Sequence, residues 1–523
     1  YDGVLEARNF EVFREKLKQK GMLDLADEFF QASGALTRIL YKDGIETELR
    51  TSNCGGFQLL DLHDFPGQGT ALIGILDPFW ESKGLIKPEE WRQFCNKTVP
   101  LLRIDKRVFN NSDTLEAKAE IYNYSNQDLQ NVDPKWIIKI EDGKVIDTGQ
   151  FKLSDISQSG LTDLGDFSCT FHEIKTAQKL TVTIRLNDKL KNSWNIWVYP
   201  EVKEVETECL VADYPDKKVE NRLQNGEKVL LLPNPKKIEG KKSQFHNHFW
   251  NPIMFQWPPM TLGTYVKADH PLFDNFPTKS HINWQWWSII NNSRTMVLDS
   301  LNKNLRPLIQ PIDNYNRCQK LGLLYECKVG EGKLLVASID FSKDIQNRPA
   351  AKQLLSAIKK YVSSNNFNPE TSVEWSQIKG LFKQKTLTDQ AQIINFDSQA
   401  EGYEANNIID NDKTTIWHTP WQGEIPNFPH FVEIDLGKQT TFRTIKLIPR
   451  HDGSTGGMIS KAQIFTSNNG KDWTKLKDIN WNEYKEPKVV NFTKSLTTRF
   501  LKIKILKGIN KNKFSSLAEF ILE

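Results

Sequence analysis

The apolar residues of this chain change their period several times over 523 residues, and no single hydrophobic core can serve all of those periods. Phe10, Phe13, Leu17, Leu23, Leu25, Ala26, Phe29 and Phe30 recur at helical spacing over residues 9–31. Leu36, Ile39, Leu40 and Ile45 continue it as a second helical stretch. Residues 103–200 instead show short alternating runs broken by turn residues, with Asp142-Gly143 as a hairpin signal, which predicts an antiparallel sandwich. Residues 204–364 mix continuous apolar runs (229–233 and 334–339) with a helical pattern over 349–362, the mark of an α/β domain. After a polar connection over 365–384, residues 385–523 alternate again and read as all-β. At roughly 150 residues per domain, three or four domains are expected.

Composition excludes some classes. The formal charge is +4, with Lys and Arg scattered rather than gathered in a stripe, which argues against a nucleic-acid partner. No apolar run approaches the roughly 20 residues that cross a bilayer. The six cysteines are widely spaced and read as thiols. Fifteen tryptophans suit either sandwich cores or platforms for sugar rings. The chain opens on Tyr1-Asp2-Gly3 and runs at once into a helical pattern, as a piece of something longer does.

Residues 57–65 form a short apolar run that turns polar at its end, the pattern of a buried parallel strand presenting Asp61, His63 and Asp64 at its carboxyl end. Those groups, with Trp80, either touch a substrate or pair locally. The stretch GFQLLDLHDFPGQGTALIGILDPFWESKG resembles the last strand and loop of the (β/α)8 barrel in glycoside hydrolase family 2 enzymes of the galactosidase and glucuronidase type. The resemblance implies that residues 1–102 end a catalytic barrel whose two glutamates, the acid/base and nucleophile of retaining hydrolysis, lie upstream of residue 1. It implies an immunoglobulin-like sandwich for 103–203. The block 204–364, including FWNPIMFQWPPMTLGT and HINWQWWSIINNSR, resembles the amidotransferase-like domain of some of these enzymes. With Pro233-Asn234-Pro235 where a cysteine nucleophile belongs, this domain reads as non-catalytic. His246-Asn247-His248 is a weak zinc pattern without a third ligand, and the run Trp284-Gln285-Trp286-Trp287 reads as packing.

The strings EGYEANNIIDNDKTTIWHTPW, PHFVEIDLG, FRTIKLIPRHDGSTGGMISKAQIFTSNNGKDW and SLAEF resemble, in that order, the discoidin or coagulation-factor type C domain in its family 32 carbohydrate-binding branch. This implies a sugar site in which Trp417 is core, His418 bonds a hydroxyl and Trp421 stacks on the ring, with Arg450 and Glu401 as further polar contacts. It implies a structural calcium held by Asp410, Asp412, Thr415 and Glu519, since calcium takes six to eight hard oxygen ligands. Where galactose binders of this kind often carry Asn, the chain has Gly456. The expected fold is therefore multidomain α+β: barrel end, immunoglobulin-like sandwich, amidotransferase-like α/β domain, linker 365–384 and discoidin-like sandwich 385–523. The expected function is the carboxy-terminal part of a secreted, periplasmic or surface-associated exo-glycosidase acting on terminal β-galactosides or β-glucuronides of polysaccharides. A non-enzymatic carbohydrate-binding or adhesion protein is the alternative.

Overall fold

A computed structural model describes residues 6, 8–65, 67, 71–202, 205–246, 261–383, 386–509 and 512–523. His248 and residues 249–260 of the FWNPIMFQWPPMTLGT string lie outside them, so the HxH pattern has no described geometry. Two compact units divide the chain, Tyr1–Phe382 and Lys383–Glu523.

The first unit begins with helices Arg8–Gln19 and Ala26–Leu49. The break between them falls earlier than the apolar spacing predicts. Gly21 adopts φ +66° there, and a Cβ on it would stand 3.2 Å from the Lys303 carbonyl oxygen, so the turn needs glycine. Residues 57–65 differ from expectation more sharply. They form no strand: a single parallel bridge, His63 to Leu76, replaces a ladder, and Leu60 is 70% exposed. A parallel strand needs a hydrogen-bonded neighbour along its length, and the described residues offer this segment only that bridge.

A sandwich follows, of three strands ordered Thr98–Arg103, Thr114–Asn123, Gly160–Thr170, and of five ordered Val108–Asn110, Lys191–Tyr199, Gln178–Arg185, Lys135–Ile140, Val145–Gln150. Asp142-Gly143 makes the hairpin joining the last two, with Gly143 at φ +93°. Trp136, Trp194 and Phe167 fill the space between the sheets. Helix Ala26–Leu49 is tied to this sandwich by the fully buried carboxylate of Glu46. It accepts from Lys42 Nζ (2.7 Å), Asn192 Nδ2 (2.7 Å) and Trp194 Nε1 (2.8 Å), while Asn192 Nδ2 also donates to the Pro100 carbonyl (2.9 Å). Burial pushes the Glu46 carboxyl up, but the Lys42 charge and these donors outweigh it and leave it below the usual range.

The rest of this unit is built on a six-stranded mixed sheet. Leu210–Ala212, Lys228–Leu231 and Gly332–Ala337 run parallel, and Leu324–Val329, Ile309–Pro311 and Thr264–Val266 complete it antiparallel. The apolar runs at 229–231 and 334–337 are buried, as strands covered on both faces must be, and helix Pro349–Ser363 packs its apolar stripe into the main core. Neither a closed barrel nor an amidotransferase-like domain is shown; the unit is a sheet-rich mixed assembly.

The second unit is an antiparallel sandwich. Its main sheet runs Gln392–Phe396, His430–Ile448, Lys488–Gly508, Ile459–Ser467, Thr474–Asn480, with Glu519–Leu522 paired to the far end of His430–Ile448. Trp417, Phe442, Trp481, Ile505 and Phe520 lie in its core. All six cysteines of the chain are free; Cys169, Cys318 and Cys327 are buried and the others partly so.

Candidate functional site

In the second unit Trp417 and His418 form a short strand paired with Ser516-Leu517. Thr419 N donates to the Ser515 carbonyl and Ser515 N to Thr419 Oγ1, both at 2.9 Å, so the terminal segment is fastened beside the WHTPW string. Gly457 makes that possible: at φ +76°, a Cβ on it would meet the Ser516 nitrogen at 2.8 Å. The strand sends Trp417 inward, its Nε1 donating to the Ser398 carbonyl (3.0 Å), and Trp421, past Pro420, emerges at 38% exposure.

Four rings converge there. His418 lies 4.7 Å from Trp421, 5.4 Å from Phe514 and 6.2 Å from Tyr403 between centroids, and Tyr403 meets Trp421 edge-on at 5.2 Å. His418 itself is buried, with Nδ1 donating to the Thr419 carbonyl (2.5 Å). Burial, then the Arg450 charge, hold it below the usual histidine range, against the pull of the Thr419 and Gly456 carbonyls, so it is neutral at pH 7. Arg450 is held by Asp452, Nε to Oδ1 at 2.7 Å with Nη2 on Oδ2, and by the Gly456 carbonyl through Nη1 (2.7 Å). A guanidinium has N–H groups beyond those three. Glu401 is exposed in the turn before Tyr403. The structure thus gathers His418, Trp421 and Arg450 and adds Tyr403, Phe514 and Asp452, which sequence reasoning missed. The arrangement offers an apolar face flanked by fixed polar groups, the mixture small-ligand sites use.

The calcium expectation falls on the loop after Ile409. Asp410 Oδ1 accepts from Asp412 N (2.9 Å), Thr415 Oγ1 donates to Asp410 Oδ2 (3.0 Å) and to the Asp412 carbonyl (2.8 Å), and Asp412 Oδ1 accepts from Thr414 N (3.1 Å) and Oγ1 (2.6 Å). Among the described residues no three His, Cys, Asp or Glu side chains group closely enough to hold a metal by themselves. Buried Glu519, however, keeps Oε2 without a partner, and burial first, then Asp410, push its carboxyl up to about 8. Lys383 Nζ meanwhile donates to the Asn411 carbonyl. An oxygen set of Glu519 Oε2, Asp410 and backbone carbonyls fits a hard divalent cation.

The third expected cluster is dispersed. Asp64 is buried and accepts from Lys83 Nζ (2.6 Å) and Gly74 N (3.0 Å), a local pairing. His63 Nδ1 donates to the Asp64 carbonyl (2.6 Å), and its ring lies 4.5 Å from that of Trp80, which is 62% exposed. Asp61 sits at φ +65°, its carboxyl raised by burial, and its carbonyl accepts from Tyr41 (3.0 Å). With Asp64 committed to Lys83, this group does not offer a pair of free carboxylates.

Family models match three stretches: a domain of unknown function, DUF8488, over residues 113–200; a second, DUF8487, over 210–383; and the F5/8 type C domain over 390–520. Galactose oxidase of Gibberella zeae is 28% identical over 129 residues, 24% of this chain and 19% of that protein. A sialidase of Micromonospora viridifaciens is 34% identical over 93 residues, 17% of this chain and 14% of that one. The chain therefore spans a fifth or less of these curated relatives. Among solved structures, the family 32 module of C. perfringens NanJ in complex with galactose is 27% identical, covering 26% of this chain and 94% of that one at a TM-score of 0.24. Module CBM32-5 of Clostridium perfringens, in complex with GalNAc-beta-1,3-galactose, is 25% identical, covering 26% and 99% at 0.24. No helix among the described residues is long and apolar enough to cross a membrane. The carboxy-terminal residues 390–520 are an F5/8 type C domain, similar to carbohydrate-binding modules and joined in this chain to two domains of unknown function.

Proposed function

We propose that the F5/8 type C domain binds a terminal galactose-type sugar, and that the chain is the carbohydrate-targeting, carboxy-terminal part of a retaining glycoside hydrolase acting on terminal β-galactosides or β-glucuronides outside the cytoplasm. One observation carries the first part: the half-exposed indole of Trp421, edge-braced by Tyr403 and His418, stands in the same ring cluster as His418, whose charge field includes Arg450. An indole face takes the C–H surface of a pyranose, and Arg450, with Glu401 across the turn, supplies donors and acceptors for hydroxyls. Both curated relatives are enzymes named for sugar substrates, which supports the same class. Titrating the protein with galactose, glucuronic acid and oligosaccharides ending in them tests it. Saturable binding lost in Trp421→Ala is the expected result; no binding to any of them overturns it.

The hydrolase part is supported by the exposed apolar side chains Phe57, Leu60, Phe65, Phe79 and Trp80 of one segment, which further polypeptide would cover. We assign the catalytic glutamates to a barrel with which this segment packs, and Asp61, His63, Asp64 and Trp80 to its rim. Turnover of aryl β-galactosides or β-glucuronides by the whole enzyme supports this; sugar binding without turnover leaves the adhesion protein. Calcium is proposed as a structural ion held by Asp410, Asp412, Thr415 and Glu519, where it would give the Glu519 Oε2 atom the partner that the protein does not supply.

A further inference from the structure

A cleft whose lining includes none of the residues just described lies within the first unit. It has a volume of about 680 Å³ and forms where four segments meet: helix Ala26–Leu49, the sandwich connection 102–108, the turn 284–288 and the start of helix Pro349–Ser363. A smaller cleft of about 260 Å³ shares Asp43, Arg107 and Trp284 with it, so the two adjoin.

The cationic groups of its wall are Arg50, Arg103, Lys106, Arg107 and Arg348, against Asp43 and Asp105. Arg103 and Lys106 are neutralised by Glu120 and Asp113, each at 2.6 Å. Arg348 is different. It is buried, and its N–H groups go to neutral oxygens: the carbonyls of Asp340 (2.6 Å), Lys343 (3.1 Å) and Ser288 (3.0 Å) and Ser288 Oγ (3.2 Å). Arg107 faces Asp43 at a loose 3.7 Å and lies 5.3 Å from the centroid of the Trp284 ring. Both charges are partly compensated, Arg107 by Asp43 and Glu46 and Arg348 by Asp340 and Asp344. The adjoining tryptophans divide their roles: Trp286 is fully buried, and Trp287, one residue on, is 51% exposed at the cleft mouth. The Trp287 ring is thus accessible to a ligand in the cleft.

A guanidinium that holds its carboxylate only loosely can still take carboxylate or sulfate oxygens, and an exposed indole takes the C–H face of a sugar. We propose that this cleft binds an acidic saccharide, a uronate or sulfated sugar, with Trp287 as its platform and Arg107 as its anion contact. The inference does not rest on the carboxy-terminal sugar site, and it can be tested with that site disabled.

The full chain carrying Trp421→Ala is titrated by calorimetry with a tetrasaccharide of alternating glucuronate and N-acetylgalactosamine, and with a neutral galacto-oligosaccharide of the same length. Saturable binding of the acidic probe, about tenfold or more tighter than the neutral one and weakened by raising salt, is expected. Adding Trp287→Ala, which removes an exposed ring and leaves the core intact, is expected to reduce that binding about tenfold, and Arg107→Gln to abolish the preference for the acidic probe. Absence of acidic-probe binding, equal binding of the two probes, or binding unchanged by Trp287→Ala overturns the proposal. Displacement of the bound tetrasaccharide by micromolar ATP also overturns it, because it would mark the cleft as a nucleotide site.

Discussion

The sandwich of residues 98–199 turns Trp136, Trp194 and Trp197 into buried positions, whereas the carboxy-terminal sandwich buries Trp417 to 1% exposure and leaves Trp421, four residues on, at 38%. All three indoles of the first lie within paired strands: Trp136 and Trp194 point to the partner sheet, while Trp197, three residues beyond Trp194 and so on the other face of its strand, packs into the core of the mixed-sheet part. Trp421 lies just beyond a strand end, after Pro420, where no ladder fixes the direction of the side chain. A ladder fixes a tryptophan in the core; beyond a strand end either outcome is open, for Trp481, one residue past Thr474–Asn480, is 3% exposed where Trp421 is 38%.

The largest effects that test this contrast concern the buried indoles. Trp194→Ala and Trp417→Ala are each expected to cost about 3–5 kcal/mol of the stability of their own unit, measured by chemical denaturation. A cost below about 1 kcal/mol for either would erase the contrast. Trp194 carries the additional loss of its bond to Glu46, so Trp194→Phe, which keeps most of the ring volume, is expected to retain a cost of about 1–3 kcal/mol.

A second effect separates the units by pH. His430 is fully buried, with Nδ1 on Asp397 Oδ2 and Nε2 on the Lys513 carbonyl, both at 2.6 Å. Both ring nitrogens face acceptors, so the ring is an imidazolium. Burial lowers its pKa, but the Asp397 bond, the Lys513 bond and the Asp397 charge together raise it above its ordinary 6.5. The stability it contributes is full below 6.5 and is lost as pH rises through the higher folded value. Asp397 and Glu46 are both held below their ordinary 3.8 and 4.5, so their contributions are full above those values and are lost on acidification through the lower folded ones. Between pH 6 and 9 the carboxy-terminal unit is expected to lose melting temperature in a way that His430→Gln removes. Between pH 4.5 and 2.5 both units are expected to soften. An alkaline slope unchanged in His430→Gln would place the titrating group elsewhere.

The smallest stability effect belongs to Trp421→Ala, expected within about 1 kcal/mol of the parent while sugar binding falls below detection by titration. A stability loss as large as that of Trp417→Ala would make Trp421 a core residue. Of comparable size is calcium: a chelator is expected to lower the melting temperature of the carboxy-terminal unit by a few degrees, and a chelator without effect removes calcium from the Glu519 loop.

The F5/8 type C domain was legible because its landmarks are local strings, WHTPW above all, whose spacing survives without knowledge of the fold. Tyr403 and Phe514 were not. They come from before and far after that string, and each meets His418 only through the fold: Phe514 through the Thr419–Ser515 bonds, Tyr403 through its carbonyl, which accepts from His418 N. Residues 57–65 were misread for the converse reason. An apolar run looks the same as strand or as exposed coil, and only its pairing decides. The Trp284–Trp287 run hid a change of direction: a tight turn entering a helix places Trp286 and Trp287 on opposite sides, which a count of aromatics does not show.

The buried Glu46 carboxylate bears on how such a chain is assembled in evolution. The family match over the sandwich begins at residue 113, yet groups that complete the sandwich, Glu46 on Trp194 and the Pro100 carbonyl on Asn192, lie before it. A recombination event that carried residues 113–200 into another protein would leave an indole N–H and an amide buried with nothing to accept from them. The structural unit is thus larger than the matched stretch 113–200 and includes the helix from Ala26 to Leu49.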